Sequence, residues 1–185
     1  KIYKNILDNN ELILRDKNLP QFYVVRSKIP FYFSLPGGQY FFSLALFKKY
    51  FKTEGTFVAA FTFEMFRSIR GLYEKHYLVP TGSVSTEKLL SITRIDYSLR
   101  VEIGKWTYTA MKRAGLNAFV YLNWLQLQNR NALDFTLQQG DTYSSSREEY
   151  MFKNYVINEG LKSKEIYDKE VNSSKDFYLL INRFL

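Results

Sequence analysis

Apolar residues in much of the first half of the chain recur every three or four residues, which is the spacing of amphipathic helices. A first helix is predicted over residues 39–52, and Gly55 is expected to end it as a left-handed cap. A second helix is predicted over residues 57–77. Ser85 or Thr86 is expected to cap a third helix that ends about ten residues later. This region is therefore predicted to be a set of packed helices.

The spacing changes to alternation after the third helix. Residues 99–103 and 106–110 alternate apolar and polar side chains, and Gly104-Lys105 lies between the two runs. Alternation on both sides of a two-residue turn is typical of a β-hairpin. We therefore predict a hairpin with Lys105 at its tip. The competing interpretation is one continuous helix over residues 86–112.

Helical spacing then returns for the rest of the chain. A fourth helix is predicted over residues 116–130, followed by a loop over residues 131–146. A capping box that begins at Ser146 predicts a fifth helix over residues 146–159. A last helix is predicted over residues 163–183.

The first 38 residues differ from the rest because they hold three of the four prolines. Proline at this density prevents a long helix, although residues 21–26 could form a short extended segment and Pro36-Gly37-Gly38 a turn. This extension is either a basic arm that lies on phosphates or a tail packed on its own domain. The predicted fold is mainly α, with about six helices, one β-hairpin arm between helices three and four, and an N-terminal extension. The expected divisions are an extension over 1–38 and a helical domain over 39–185.

Composition suggests a polyanionic partner. The chain has 26 Lys and Arg against 18 Asp and Glu, a formal net charge of +8, and the charges after Ser144 cancel. Such a balance favours nucleic acid or an anionic membrane surface as partner. Aromatic residues make up 18% of the chain, which includes 15 Tyr and 16 Phe. This bias is typical of an AT-rich genome, and the rings serve either in core packing or in stacking on unpaired bases.

Nothing in the sequence specifies an enzyme. The chain has no cysteine and a single histidine, His76, which excludes thiol catalysis and sites built on several histidines. Pro36-Gly37-Gly38 lacks the Lys and Ser/Thr that end a phosphate-binding loop. No apolar run reaches the ~20 residues that span a bilayer, and Lys1 does not begin a signal peptide. We therefore expect a soluble protein that is not an enzyme, with no cofactor, no metal, no membrane and no small-molecule substrate.

Basic residues surround the predicted hairpin with few acidic neighbours, as in an arm that reaches into RNA and neutralises phosphates. The alternative is a generally basic surface with no focused partner. The predicted RNA-binding residues are Arg26, Lys28, Lys48, Lys49, Lys52, Arg94, Arg100, Lys105, Lys112, Arg113 and Arg130.

Several strings resemble the S-seven family of ribosomal proteins. Residues 43–72, SLALFKKYFKTEGTFVAAFTFEMFRSIRGL, are similar to the family's first two helices. Residues 85–111, which contain Val101-Glu102-Ile103 and Thr107-Tyr108, resemble its third helix and β-hairpin. Residues 112–125 resemble the approach to its fourth helix, and residues 162–184 resemble its last helix. The resemblance rests on the order of these elements, because no single string is diagnostic.

The resemblance implies a structural constituent of the small ribosomal subunit. Such proteins bind rRNA of the 3′ domain, support assembly of the subunit head, contact neighbouring ribosomal proteins, and lie near exit-site tRNA and mRNA. The composition favours a mitochondrial ribosome, with the bacterial cytoplasm as the alternative location. Two other functions remain open, which are a helical DNA-binding or replication-initiator domain and a structural subunit of another large complex.

Overall fold

The protein is mainly helical, as the sequence predicts. The structure is a computed structural model that describes residues 1–12, 19–73, 84–163 and 173–184, with only the backbone at 160–163. These residues form nine helices and one three-stranded sheet. The helices are α1 Ile2–Asn9, α2 Leu44–Lys49, α3 Glu54–Arg70, α4 Thr86–Thr93, α5 Tyr97–Arg113, α6 Val120–Arg130, α7 Ala132–Gln139, α8 Thr142–Ser163 and α9 Lys175–Asn182; the strands are β1 Gln21–Val25, β2 Tyr32–Leu35 and β3 Gln39–Ser43.

The sheet has the order β1-β3-β2, with β1 parallel and β2 antiparallel to β3. The predicted turn at Pro36-Gly37-Gly38 joins β2 to β3, and both of its glycines have positive φ, as tight turns often require. The prediction of helix from residue 39 is wrong, because Gln39–Ser43 is a strand and α2 begins only at Leu44. The predicted cap at Gly55 is also wrong, because α2 ends at Lys49 and Gly55 lies in the first turn of α3. Consecutive aromatic side chains at Tyr40, Phe41 and Phe42 favour a pleated strand with both faces covered.

Strand β1 confirms the predicted extended segment and forms an edge of the sheet. The N–H of Gln21 donates to the carbonyl of Gly38 at 2.9 Å, so the odd-numbered residues of β1 bond to β3. The N–H groups of Phe22 and Val24 therefore point to the other side, away from β3. All five residues of β1 are exposed to solvent.

Helix α5 replaces the predicted hairpin. Residues Tyr97–Arg113 form one helix, so the hairpin prediction is wrong. The alternative of unbroken helix over residues 86–112 is also wrong, because Arg94–Asp96 separate α4 from α5. Gly104 lies at the middle of α5, where the Tyr121 ring approaches so closely that an added Cβ would lie 2.8 Å from its Cε1 atom. Glycine here serves close helix packing rather than a turn.

The predicted loop over residues 131–146 is also helical. It holds all of α7 and the start of α8, which begins at Thr142 rather than Ser146. Phe135 on α7 is completely buried, against Trp124 and Tyr50. The second predicted helix ends at Arg70 rather than residue 77, because Gly71 forms a left-handed cap. His76 and most of the predicted last helix before α9 lie outside the described residues.

Aromatic rings fill the core, which supports packing as the main use of the aromatic composition. Trp124 is fully buried, and its indole N–H donates to the Tyr32 hydroxyl at 3.2 Å. The Gln128 side chain donates to the same hydroxyl at 3.0 Å. These bonds join α6 to β2 and satisfy polar atoms that burial would otherwise leave unpaired.

Helix α1 packs on the end of α5. Ile6 is completely buried in the main core. The Asn5 side chain donates to the carbonyl of Ala114 at 3.0 Å, and that of Asn10 donates to the carbonyl of Ala110 at 3.1 Å. The described part of the N-terminal extension is therefore packed on the helical part of the chain.

Candidate nucleic-acid interface

Helix α2 and the residues just after it present three lysines to solvent, as predicted. Lys48, Lys49 and Lys52 are all exposed, because Leu46 and Phe47 take the buried side of this short helix. Lys49 lies 3.5 Å from the carboxylate of Asp134, a pair in which both side chains are about half exposed. Such a surface pair is worth roughly 0–1 kcal/mol, so Lys49 keeps its ability to bind another anion.

The last turn of α5 forms a second exposed basic position at Lys112 and Arg113. Basic residues are favourable there because the C-terminal end of a helix carries partial negative charge. Helix α1 lies beside this turn through the bond from Asn5 to Ala114, and it adds the exposed Lys4. Lys4 is not among the predicted RNA-binding residues, because the packing of α1 on α5 has no signal in the sequence.

Arg100 is not on the surface. It is 8% exposed, and its Nε atom donates to a carboxylate oxygen of Glu148 at 2.6 Å. Its Nη1 atom also approaches the carbonyls of Ile95 and Gln139. Burial raises the pKa of Glu148, and the charge of Arg100 opposes this shift. We therefore leave Arg100 out of the exposed phosphate-binding surface.

Lys105, Arg130, Arg26 and Lys28 lie at separate places. Lys105 is half-buried on α5 rather than at a hairpin tip, and its ammonium group lies 2.5 Å from Glu102 and 5.8 Å from the centre of the Tyr155 ring. Arg130 is exposed at the end of α6, while Arg26 and Lys28 are exposed after β1. The structure thus brings together bases within α2 and at the end of α5 but does not unite all predicted residues in one patch.

Arg94 belongs to an open cleft that the sequence analysis did not identify. The cleft lies where the α4–α5 linker faces the α7–α8 linker and has a volume of about 610 Å³. Arg94, Asp96 and Arg100 line one side, and Gly140 and Asp141 line the other. We call it the Arg94 cleft.

Two aspartates of the cleft cap helices. The carboxylate of Asp96 accepts a hydrogen bond from the backbone N–H of Ser98, and that of Asp141 accepts one from the backbone N–H of Ser144, so each caps the helix that follows. The spacings Asp-x-Ser and Asp-x-x-Ser were the available sequence signals for these helix starts.

A second ion pair lies in the core between Glu64 and Arg67, 3.6 Å apart. The Ser34 hydroxyl donates to Glu64 at 2.7 Å, and Arg67 donates to the carbonyl of Thr93. Burial raises the pKa of Glu64, against the opposing charge of Arg67. These contacts join α3 to β2 and α4.

No family model matches this chain, and no curated protein does either. In the parts of the chain that the structure describes, no group of three or more His, Cys, Asp or Glu side chains could hold a metal ion. Among the described helices, none combines the length and the apolar character needed to cross a bilayer. The arrangement of exposed lysines and arginines is suited to electrostatic contact with a polyanion.

Proposed function

We propose that this protein is a structural RNA-binding protein that acts without catalysis. The exposed bases at two places carry this proposal: α2 with the residues just after it, and the end of α5. The main candidate residues are Lys48 and Lys52 at the first place and Lys112 and Arg113 at the second. Long exposed basic side chains bind backbone phosphates, and the release of counterions from the nucleic acid then supplies much of the affinity.

The more specific proposal is a role in the small ribosomal subunit, in mitochondria or in a bacterium. Its support is the resemblance of residues 43–72 and 112–125 to the S-seven family together with the formal net charge of +8. The hairpin that this resemblance implied is absent, because those residues form α5, so the resemblance is now carried by the helical strings. In this role the protein would bind 3′-domain rRNA and neighbouring ribosomal proteins near exit-site tRNA and mRNA, with no cofactor.

The test is the salt dependence of RNA binding after Lys112 and Arg113 are both replaced with Ala. Each lost phosphate contact lowers the slope of log affinity against log salt by roughly 0.7–0.9. The double variant should therefore bind small-subunit rRNA more weakly and with a flatter slope. A matched control is the double replacement of Lys153 and Lys175, which are exposed in the neutral C-terminal part of the chain. An equal loss in both double variants would refute this surface.

The same assay separates RNA from DNA. We expect a fragment of the 3′ domain to bind more tightly than duplex DNA of equal length at the same salt concentration. Tighter binding to duplex DNA would overturn the RNA proposal in favour of the DNA-binding alternative. Sedimentation of the tagged protein with small ribosomal subunits would test the ribosomal role, and its absence from them would remove that role.

A further inference from the structure

The Arg94 cleft contains guanidinium donors that the protein itself does not use. Arg94 donates one hydrogen bond, from Nη2 to the carbonyl of Leu137 at 2.9 Å, and its Nε atom is buried without a partner. The side chain of Arg100 is 10% exposed, and its Nη2 atom also lacks a partner. A guanidinium has five N–H donors arranged to bind oxyanions, and a buried donor without a partner costs stability. Both unpartnered nitrogens are closed to solvent, so an oxyanion in the cleft would bind the terminal N–H groups of the half-buried Arg94 side chain.

Gly140 lies beside Arg94 along the wall of the cleft. Its backbone has φ +92° and ψ −117°, a region that is essentially restricted to glycine. A Cβ atom there would lie 3.4 Å from Nη1 of Arg94. The guanidinium of Arg94 therefore packs against the α7–α8 linker, and Gly140 is required there for its backbone conformation.

The acidic groups around the cleft restrict the ligand. Asp96 and Asp141 lie beside the two arginines. The Ser98 side chain and backbone lower the pKa of Asp96, and the Ser144 backbone and side chain lower the pKa of Asp141, so both are ionised at neutral pH. Because a simple anion would be repelled by two carboxylates, a fitting ligand combines an oxyanion with hydroxyl groups that donate to carboxylates. A ribonucleotide has this combination in its phosphate and its ribose hydroxyls.

We infer that the Arg94 cleft binds a ribonucleotide, with the phosphate on Arg94 and the ribose hydroxyls on Asp96 and Asp141. The cleft volume of about 610 Å³ is sufficient for one nucleotide, since small-molecule sites span roughly 300–1,000 Å³. The source of the ribonucleotide is either an unpaired residue of an RNA or a free nucleotide. In the first case the inference rests on the proposed RNA-binding function and explains a preference for RNA over DNA, since the 2′-hydroxyl distinguishes the two.

The experiment measures binding of AMP, 2′-deoxy-AMP and inorganic phosphate to the full chain by isothermal titration calorimetry. We expect AMP to bind most tightly. Arg94→Gln should weaken AMP binding by roughly 10- to 100-fold, as expected for a lost hydrogen bond to a charged group. The matched control Lys153→Gln, at an exposed position on α8, should bind AMP as the unaltered protein does. Equal affinity for AMP and inorganic phosphate, or unchanged AMP binding in Arg94→Gln, would overturn the inference.

A second variant keeps the test valid if Arg94→Gln does not fold. Asp141→Asn retains an N-cap residue for α8, because Asn caps helices about as well as Asp. This variant should reduce the ratio of the affinity for AMP to the affinity for 2′-deoxy-AMP. An unchanged ratio would count against the contact between Asp141 and a ribose hydroxyl.

A single-stranded RNA decamer then identifies the source of the nucleotide. If Arg94→Gln weakens binding of the decamer as well as of AMP, the cleft holds an RNA residue; if only AMP binding falls, it holds a free nucleotide. Replacing Lys112 and Arg113 should weaken RNA binding but not AMP binding, so this inference and the proposed function can fail separately.

Discussion

Replacing Glu148 with Ala leaves the Arg100 guanidinium in the core without its carboxylate. Both side chains are at least nine-tenths buried, and the two charged groups are 2.6 Å apart. Removing one member of a buried ion pair costs about 3–5 kcal/mol, because the other charge is left uncompensated.

Urea denaturation followed by circular dichroism would measure this loss. The urea concentration at the midpoint of unfolding should fall, while the slope of the unfolding free energy against urea concentration stays the same. The melting temperature should fall by roughly 6–20 °C, as expected for a loss of ~3–5 kcal/mol in a chain of this size. The companion variant replaces Glu148 with Leu and Arg100 with Met together, which removes both charges and should recover much of the stability. A loss below about 1 kcal/mol for Glu148→Ala would refute the view that this pair is buried and mutually dependent.

Three further predictions concern the core and the sheet edge. Gly104→Ala should lower the free energy of unfolding by about 1–3 kcal/mol in a thermal melt, because the new methyl group would overlap the Tyr121 ring. The pKa of Glu64 is raised by burial, so the folded state binds its proton more tightly than the unfolded chain does. Stability should therefore decrease as the pH rises through that raised pKa, and Glu64→Gln should lack this part of the pH profile measured in urea. Val24→Pro should remain folded by circular dichroism, whereas Tyr23→Pro should not, because only the Tyr23 N–H faces β3; equal damage by both would contradict the assigned strand edge.

Local sequence patterns correctly predicted that the fold is mainly helical. They also predicted some of the turns and strand starts, because one or two residues decide the local structure at such positions. The Pro36-Gly37-Gly38 turn and the extended segment beginning at Gln21 are such cases. The hairpin failed because residues 99–103 fit alternation and helix equally well over so short a run. The packing of α5 involves other elements, as in the close approach of the Tyr121 ring to Gly104, and such contacts have no signature in the local pattern.

In the candidate site, too, the sequence predicted what depends on neighbouring residues and not what depends on tertiary packing. Charge counts identified Lys48, Lys112 and Arg113 as surface bases, and all three are exposed. The same reasoning selected Arg100, which the structure buries against Glu148, a residue 48 positions away. The Arg94 cleft could not be predicted, because it forms where two interhelical linkers meet.

The two tryptophans occupy different environments, which gives the protein two intrinsic optical probes. Trp124 is fully buried against Phe51 and Phe135, whereas Trp106 is half-buried with the Arg70 guanidinium 4.1 Å from its ring centre. Emission from Trp124 should shift to the red when α6 leaves the sheet, because water then reaches its indole ring. Trp106→Phe would isolate that signal, and Trp124→Phe would isolate the α3–α5 contact. Fluorescence from the two variants can therefore determine whether the sheet and the helices unfold together.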